Sequence, residues 1–193
     1  MYPQFVNSYK YYIIEKSLKE VKDKFMKKLY FKEKFFKITD HYPILDENGR
    51  EAYYLDQDFT LIGYKSAVSD KNGNTILNID REILAFFPRY TVSFADGSSM
   101  VIQQKLEFFK HRVHVYMDDE TLDLVGNIFH YDFDIKNGDG QNIGAVRRKI
   151  FTLTDSYELT IIDENYTEEL MALVICLNNM IDREQASAAS SAN

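Results

Sequence analysis

The chain predicts a mainly β fold: a closed, roughly twelve-stranded antiparallel β-barrel around a central hydrophobic C-terminal α-helix. Three observations lead there. Aromatic residues recur at Phe35, Phe59, Phe86, Phe108, Phe129 and Phe151, with gaps of 24, 27, 22, 21 and 22 residues. Each opens an alternating apolar–polar run that closes on a turn signal, as in "DENG" at 46, "KNGN" at 71, "ADGS" at 95 and "NGDG" at 137. Finally, Leu170 to Leu177 is apolar at every position. A helix there is hydrophobic all round and must be enclosed by protein. A repeat of about 22 residues holds two strands and two turns, so six repeats make about twelve strands. That many antiparallel strands leave costly edges unless the sheet closes, and a barrel of that width needs something inside it.

Residues 1–25 come first along the chain. Tyr11, Ile14, Leu18, Val21 and Phe25 follow steps of 3, 4, 3 and 4, the spacing of one apolar helix stripe, flanked by lysines. This segment reads as an amphipathic basic helix, fit to pack on the barrel, join a partner helix or lie in a membrane interface. The barrel itself is expected over 26–183. Within it Phe36, Ile38, Tyr42 and Ile44 are expected on the inner face. So are Tyr90, Val92 and Phe94; Phe129, Tyr131, Phe133 and Ile135; and Tyr157, Leu159 and Ile161. Asn-Gly and Asp-Gly between runs supply the positive φ of tight hairpins. Asn165 with Glu168 forms a capping-box pattern for a core helix over about 166–183. The remainder, 184–193, is small and polar, and is expected to be disordered.

Composition narrows the function classes. The 193 residues carry a net charge of −7, yet residues 10–37 hold ten lysines against four acids. A basic block on an acidic body points to an anionic surface; nucleic acid is disfavoured, because the body is acidic overall. Cys176 is the single cysteine, so no internal disulfide forms, and no secretion signal opens the chain. The longest apolar run is eight residues, short of the roughly 18 needed to span a bilayer. The expected location is therefore cytoplasmic, peripheral to the inner membrane surface.

Several stretches are shared with a known family: "KLYFKEKFFKITDHYPILDENGREAYYL", "DKNGNTILNIDREILAFFPRYTV", "KLEFFKHRVHVY", "LVGNIFHYDFDI" and "RRKIFTLTDSYELTIID", closed by the apolar helix. From Met26 to about Arg183 the chain resembles the LURP-one-related proteins, a bacterial and plant group in the tubby C-terminal-like superfamily. The resemblance implies the same twelve-stranded barrel around a helix. It also implies kinship with tubby proteins, which bind phosphoinositides, and with phospholipid scramblases. It brings no catalytic motif. "MKKLY" at Met26 looks like a usual start for the family, so residues 1–25 are either an added element or an upstream extension.

Chemistry-bearing residues are sparse. His111 and His114 are three apart in an expected strand and point to opposite faces, which does not suit one metal. Asp132, Asp134 and Asp139 lack the spacing and closing glutamate of a calcium loop. Cys176 lies in the apolar helix, where burial raises its pKa and makes it packing. No nucleophile motif, nucleotide loop, metal site or cofactor motif is present, and the expectation is a non-enzymatic domain. The basic residues offer more. Lys32 and Lys34 share one row of the first unit; Arg147, Arg148 and Lys149 cluster in the last. If closure brings last beside first, the five form a patch for an anionic phospholipid headgroup, with Tyr11, Ile14, Leu18, Val21 and Phe25 as a second membrane contact. The alternative is a protein-interaction or scaffold module that uses this same helix to meet a partner. The oligomeric state is left open.

Overall fold

A computed structural model describes residues 26–32, 41–58, 64–83, 85–107, 110–149 and 156–191. The stripe Tyr11 to Phe25 lies outside the described residues, as do Lys34, Phe35, Phe36, Ile38, Phe59, Phe108 and Phe151.

The described strands are β1 (Lys27–Lys32), β2 (His41–Asp46), β3 (Glu51–Asp58), β4 (Lys65–Asp70), β5 (Thr75–Arg81) and β6 (Arg89–Phe94). They continue with β7 (Ser99–Glu107), β8 (Lys110–Met117), β9 (Thr121–Asn127), β10 (Asp132–Lys136), β11 (Asn142–Lys149) and β12 (Ser156–Ile161). All pairs are antiparallel, and the sheet closes with β12 between β11 and β1. The α-helix α1 (Thr167–Ser191) follows.

Alternation decides which side chains enter the barrel. Tyr42 and Ile44, Tyr90, Val92 and Phe94, Phe133 and Ile135, and Tyr157, Leu159 and Ile161 are all buried. Every residue from Leu170 to Leu177 is at most 1% exposed, so α1 is enclosed on all sides, as its uniform apolarity requires. Gly144 on β11 lets α1 approach: a Cβ there would stand 2.8 Å from Leu170 Cδ1.

The two ends of the barrel differ. At one end tight turns join β2 to β3, β4 to β5 and β6 to β7. Asp46 Oδ1 accepts from the backbone N–H of Asn48 and Arg50, Asp70 Oδ1 does the same for Asn72 and Asn74, and Asp96 Oδ1 accepts from Ser98 N–H. The bond from Arg50 N–H leads in holding the Asp46 carboxyl below the usual carboxylate range; for Asp70 and Asp96 the side-chain bonds from Asn74 and the Ser98 hydroxyl come first, and the backbone bonds add to them. Gly49 closes the first turn at φ +73°, which a side chain disfavours. At the other end each connection follows an odd-numbered strand, and the two described aromatics of the repeat, Phe86 and Phe129, lie there.

That placement corrects the expectation that the aromatics anchor strand starts. Phe86 is 94% exposed in the β5–β6 connection, three residues before β6 begins. Phe129 sits in a 3-10 turn, Ile128–His130, and Tyr131 takes a left-handed φ of 53°. Strand alternation therefore starts only at Asp132, and Phe129 packs half-buried against the core from the turn, outside the strand row of Phe133 and Ile135. Two further corrections concern α1. Asp163 caps a 3-10 turn, Glu164–Tyr166, by accepting from Asn165 N–H, so the chain enters α1 through that turn and Asn165 is not the cap. The 184–193 segment is helical as far as Ser191, although exposed from Arg183 on. An existing helix extends without a new nucleation cost, and alanine has the best helix propensity.

Candidate anion-binding face

The outward residues of β1, β12, β11 and β10 form one continuous surface. Register sets them in rows. Lys32 and Lys149 both stand opposite Ser156; Tyr30 and Arg147 both stand opposite Glu158; Arg147 also stands opposite Asp132. Barrel closure thus joins the two ends of the chain, as the sequence reading requires. Lys32 is placed here by its backbone register.

Glu158 is the centre of this face. It points outward by strand parity yet is only 7% exposed, because neighbours cover it. Lys28 Nζ lies 3.6 Å and Lys149 Nζ 3.4 Å from Oε1, and the Tyr30 hydroxyl donates to Oε2 at 2.9 Å. Burial alone pushes the Glu158 carboxyl up. The Tyr30 hydrogen bond and the two lysines outweigh it, and the carboxyl sits below the usual glutamate value. The Tyr30 phenol is pushed up to about 12, by burial first and by Glu158 second.

Arg147 is also engaged. Its Nε lies 3.3 Å from Asp132 Oδ1, its Nη2 donates to Asp134, and its Nη1 donates to the Phe133 carbonyl at 2.5 Å and the Val146 carbonyl at 2.9 Å. Arg148 departs from the patch. Successive side chains alternate, so it shares the parity of Val146 and stands opposite Tyr157, exposed near the strand end, while Arg147 and Lys149 share the other face. Its backbone N–H donates to the Tyr131 carbonyl at 2.8 Å. The five proposed residues therefore divide three ways. Lys32, Arg147 and Lys149 share the face, Arg148 takes the opposite side of β11, and Lys34 lies outside the described residues.

The sequence reading overlooked Lys28, Tyr30 and Glu158. Lys28 has the parity of Lys32, and Glu158 is the acid on the polar side of "SYELTI", so both signals were available. What parity alone could not show is that β12 seats Glu158 between two lysines.

The thiol of Cys176 is fully buried and pushed well up by burial. Among the described residues no three His, Cys, Asp or Glu side chains are grouped so as to hold a metal, and no helix is long and apolar enough to cross a membrane.

Residues 27–178 match the family model described as LURP-one-related. The uncharacterized protein YxjI of Bacillus subtilis (strain 168) is 23% identical over 160 residues, which cover 83% of this chain and 97% of that protein. The X-ray structure of the Arabidopsis thaliana protein AT5G01750 superposes with a TM-score of 0.58 at 14% identity, over 80% of this chain and 90% of that one, and so shares the fold. With the family model spanning most of the barrel and the start of its core helix, the chain belongs to the LURP-one-related family.

Proposed function

We propose that this domain is a non-enzymatic binding module that attaches to anionic phospholipid at a membrane surface. The observation that supports it is closure: seating β12 between β1 and β11 aligns Lys32 and Lys149 across Ser156, with Lys28 nearby. Lysines in such an arrangement attract a phosphate or carboxylate headgroup, each contributing about 1 kcal/mol near an anionic surface. Glu158, Asp132 and Asp134 offset part of that charge, so the attraction is modest and salt-sensitive.

Co-sedimentation of the full chain with phosphatidylcholine vesicles, with and without phosphatidylserine, tests the reading. Binding should need the anionic lipid and fall with added salt. Equal binding to both vesicles, or to neither, overturns it. The second reading, a protein-interaction module acting through Tyr11 to Phe25, is separated by removing residues 1–25. Loss of self-association with vesicle binding intact favours it.

A further inference from the structure

The aromatic end of the barrel carries a second cationic cluster, built by β5, β6 and α1. After buried Leu77 and Ile79, alternation turns Arg81 inward at the mouth. Its partner across β6 is Tyr90, whose hydroxyl donates to Asn179 Oδ1 of α1 at 2.8 Å. Arg183 lies four residues further along α1, one turn nearer the mouth and on the same face. The two guanidiniums, one from the wall and one from the core helix, thus lie within electrostatic reach of Tyr90 and of each other.

Neither is neutralised: among the described residues no carboxylate pairs with Arg81 or Arg183, and Arg81 Nε is buried without a hydrogen-bond partner. Glu82, next in the chain, is taken by Arg89 at 3.7 Å, and Asp182 has a partner of its own. Burial, and next the nearness of Arg183, hold the Arg81 guanidinium below its ordinary pKa. Like charges brought together without a counter-ion favour an anion between them.

What surrounds the pair selects the kind of anion. The connection leaving Arg81 carries Ile83, 56% exposed, and Phe86, 94% exposed, and Leu106 on β7 is 51% exposed at the same end. The opposite end is acidic: between its turns and the start of α1 lie thirteen Asp and Glu against Lys27, Arg50, Lys71 and Lys136. The barrel thus presents unpaired cations beside exposed apolar side chains at one end and repels anionic surfaces at the other.

We propose that Arg81 and Arg183 bind the phosphate of an anionic membrane lipid at the barrel mouth, while Ile83, Phe86 and Leu106 enter the interface beside it. This rests on the lipid reading above and adds, beside the weaker and partly neutralised β1–β12–β11 face, a second and stronger headgroup contact at the mouth.

Vesicle co-sedimentation of the full chain with four variants tests it: Arg81→Gln with Arg183→Gln, Arg183→Gln alone, Phe86→Ser, and Lys32→Gln with Lys149→Gln. The arginine pair should lower affinity for phosphatidylserine-containing vesicles about tenfold or more. Phe86→Ser should weaken binding to the same vesicles and make what remains more salt-sensitive. The lysine pair should change it far less. Arg183→Gln alone, on an exposed turn, should give part of the loss with unchanged circular dichroism, which separates the effect from misfolding. If the lysine pair abolishes binding and the arginine pair does not, the lipid reading survives and this proposal is wrong. If wild type ignores vesicles, and inorganic phosphate raises its Tm but not that of the arginine pair, the site takes a free anion and the membrane source is refuted.

Discussion

Glu158→Gln isolates the electrostatics that fasten the barrel shut. The substitution keeps the shape and an acceptor for Tyr30 but leaves Lys28 and Lys149 facing a neutral amide. Each lysine is about a third exposed, so each pair contributes roughly 0.5–1 kcal/mol. The Tyr30 bond changes from charge-assisted to neutral, a loss of about 1 kcal/mol. Relief from burying a carboxylate offsets part of the sum. The net expectation is a destabilisation of about 1–2 kcal/mol, or roughly 2–8 °C in Tm for a domain of this size. The pH dependence follows from the lowered Glu158 pKa. Its contribution is complete above the unfolded glutamate value, about 4.3, and is lost as pH falls through the lower folded value. Urea unfolding of both proteins across pH should therefore show a constant gap at neutral pH that narrows in acid. A Glu158→Gln protein as stable as wild type at pH 7, or a gap that widens below pH 4, would refute the reasoning.

Other consequences can be checked in the same way. Leu173→Ala should cost about 2–5 kcal/mol in urea unfolding, since Leu173 is fully enclosed by the barrel. Cys176 should resist thiol reagents until the protein unfolds, because it is fully buried and its pKa is raised. Truncation after Glu184 should leave stability within about 0.5 kcal/mol, the range for changes away from packed groups, because residues 185–190 are exposed. Tyr90→Phe should cost about 1–3 kcal/mol by leaving the buried Asn179 carbonyl without its donor.

The architecture was legible because two periodicities speak directly. The period of two in Tyr157, Leu159 and Ile161 determines an inner face, and the unbroken apolarity of Leu170 to Leu177 demands enclosure. Loop placement was less legible. Phe86 carries the composition of a strand start, and only the pairing of β5 with β6 shows that it lies beyond both. The candidate face was half legible: the meeting of Lys32 and Lys149 followed from closure, whereas adjacency in "RRK" hid that Arg148 has the opposite strand parity to Arg147. Arg81 and Arg183 were invisible as a pair, because 102 residues separate them and only Tyr90 and Asn179 bring them near.

Closure also has a consequence for how the chain is made. Among the described residues β1 pairs with β2 at two positions, Leu29 with Asp46 and Tyr30 with Leu45, but with β12 along its whole length. The Tyr30–Glu158 bond spans 128 residues. During synthesis β1 therefore lacks its full-length partner until β12 has emerged, and the helix that fills the lumen comes later still. Until then the nascent chain displays two sheet edges and an unfilled apolar interior. Such long-range pairing folds slowly, and the newborn chain depends on protection from its neighbours for longer than its modest size suggests.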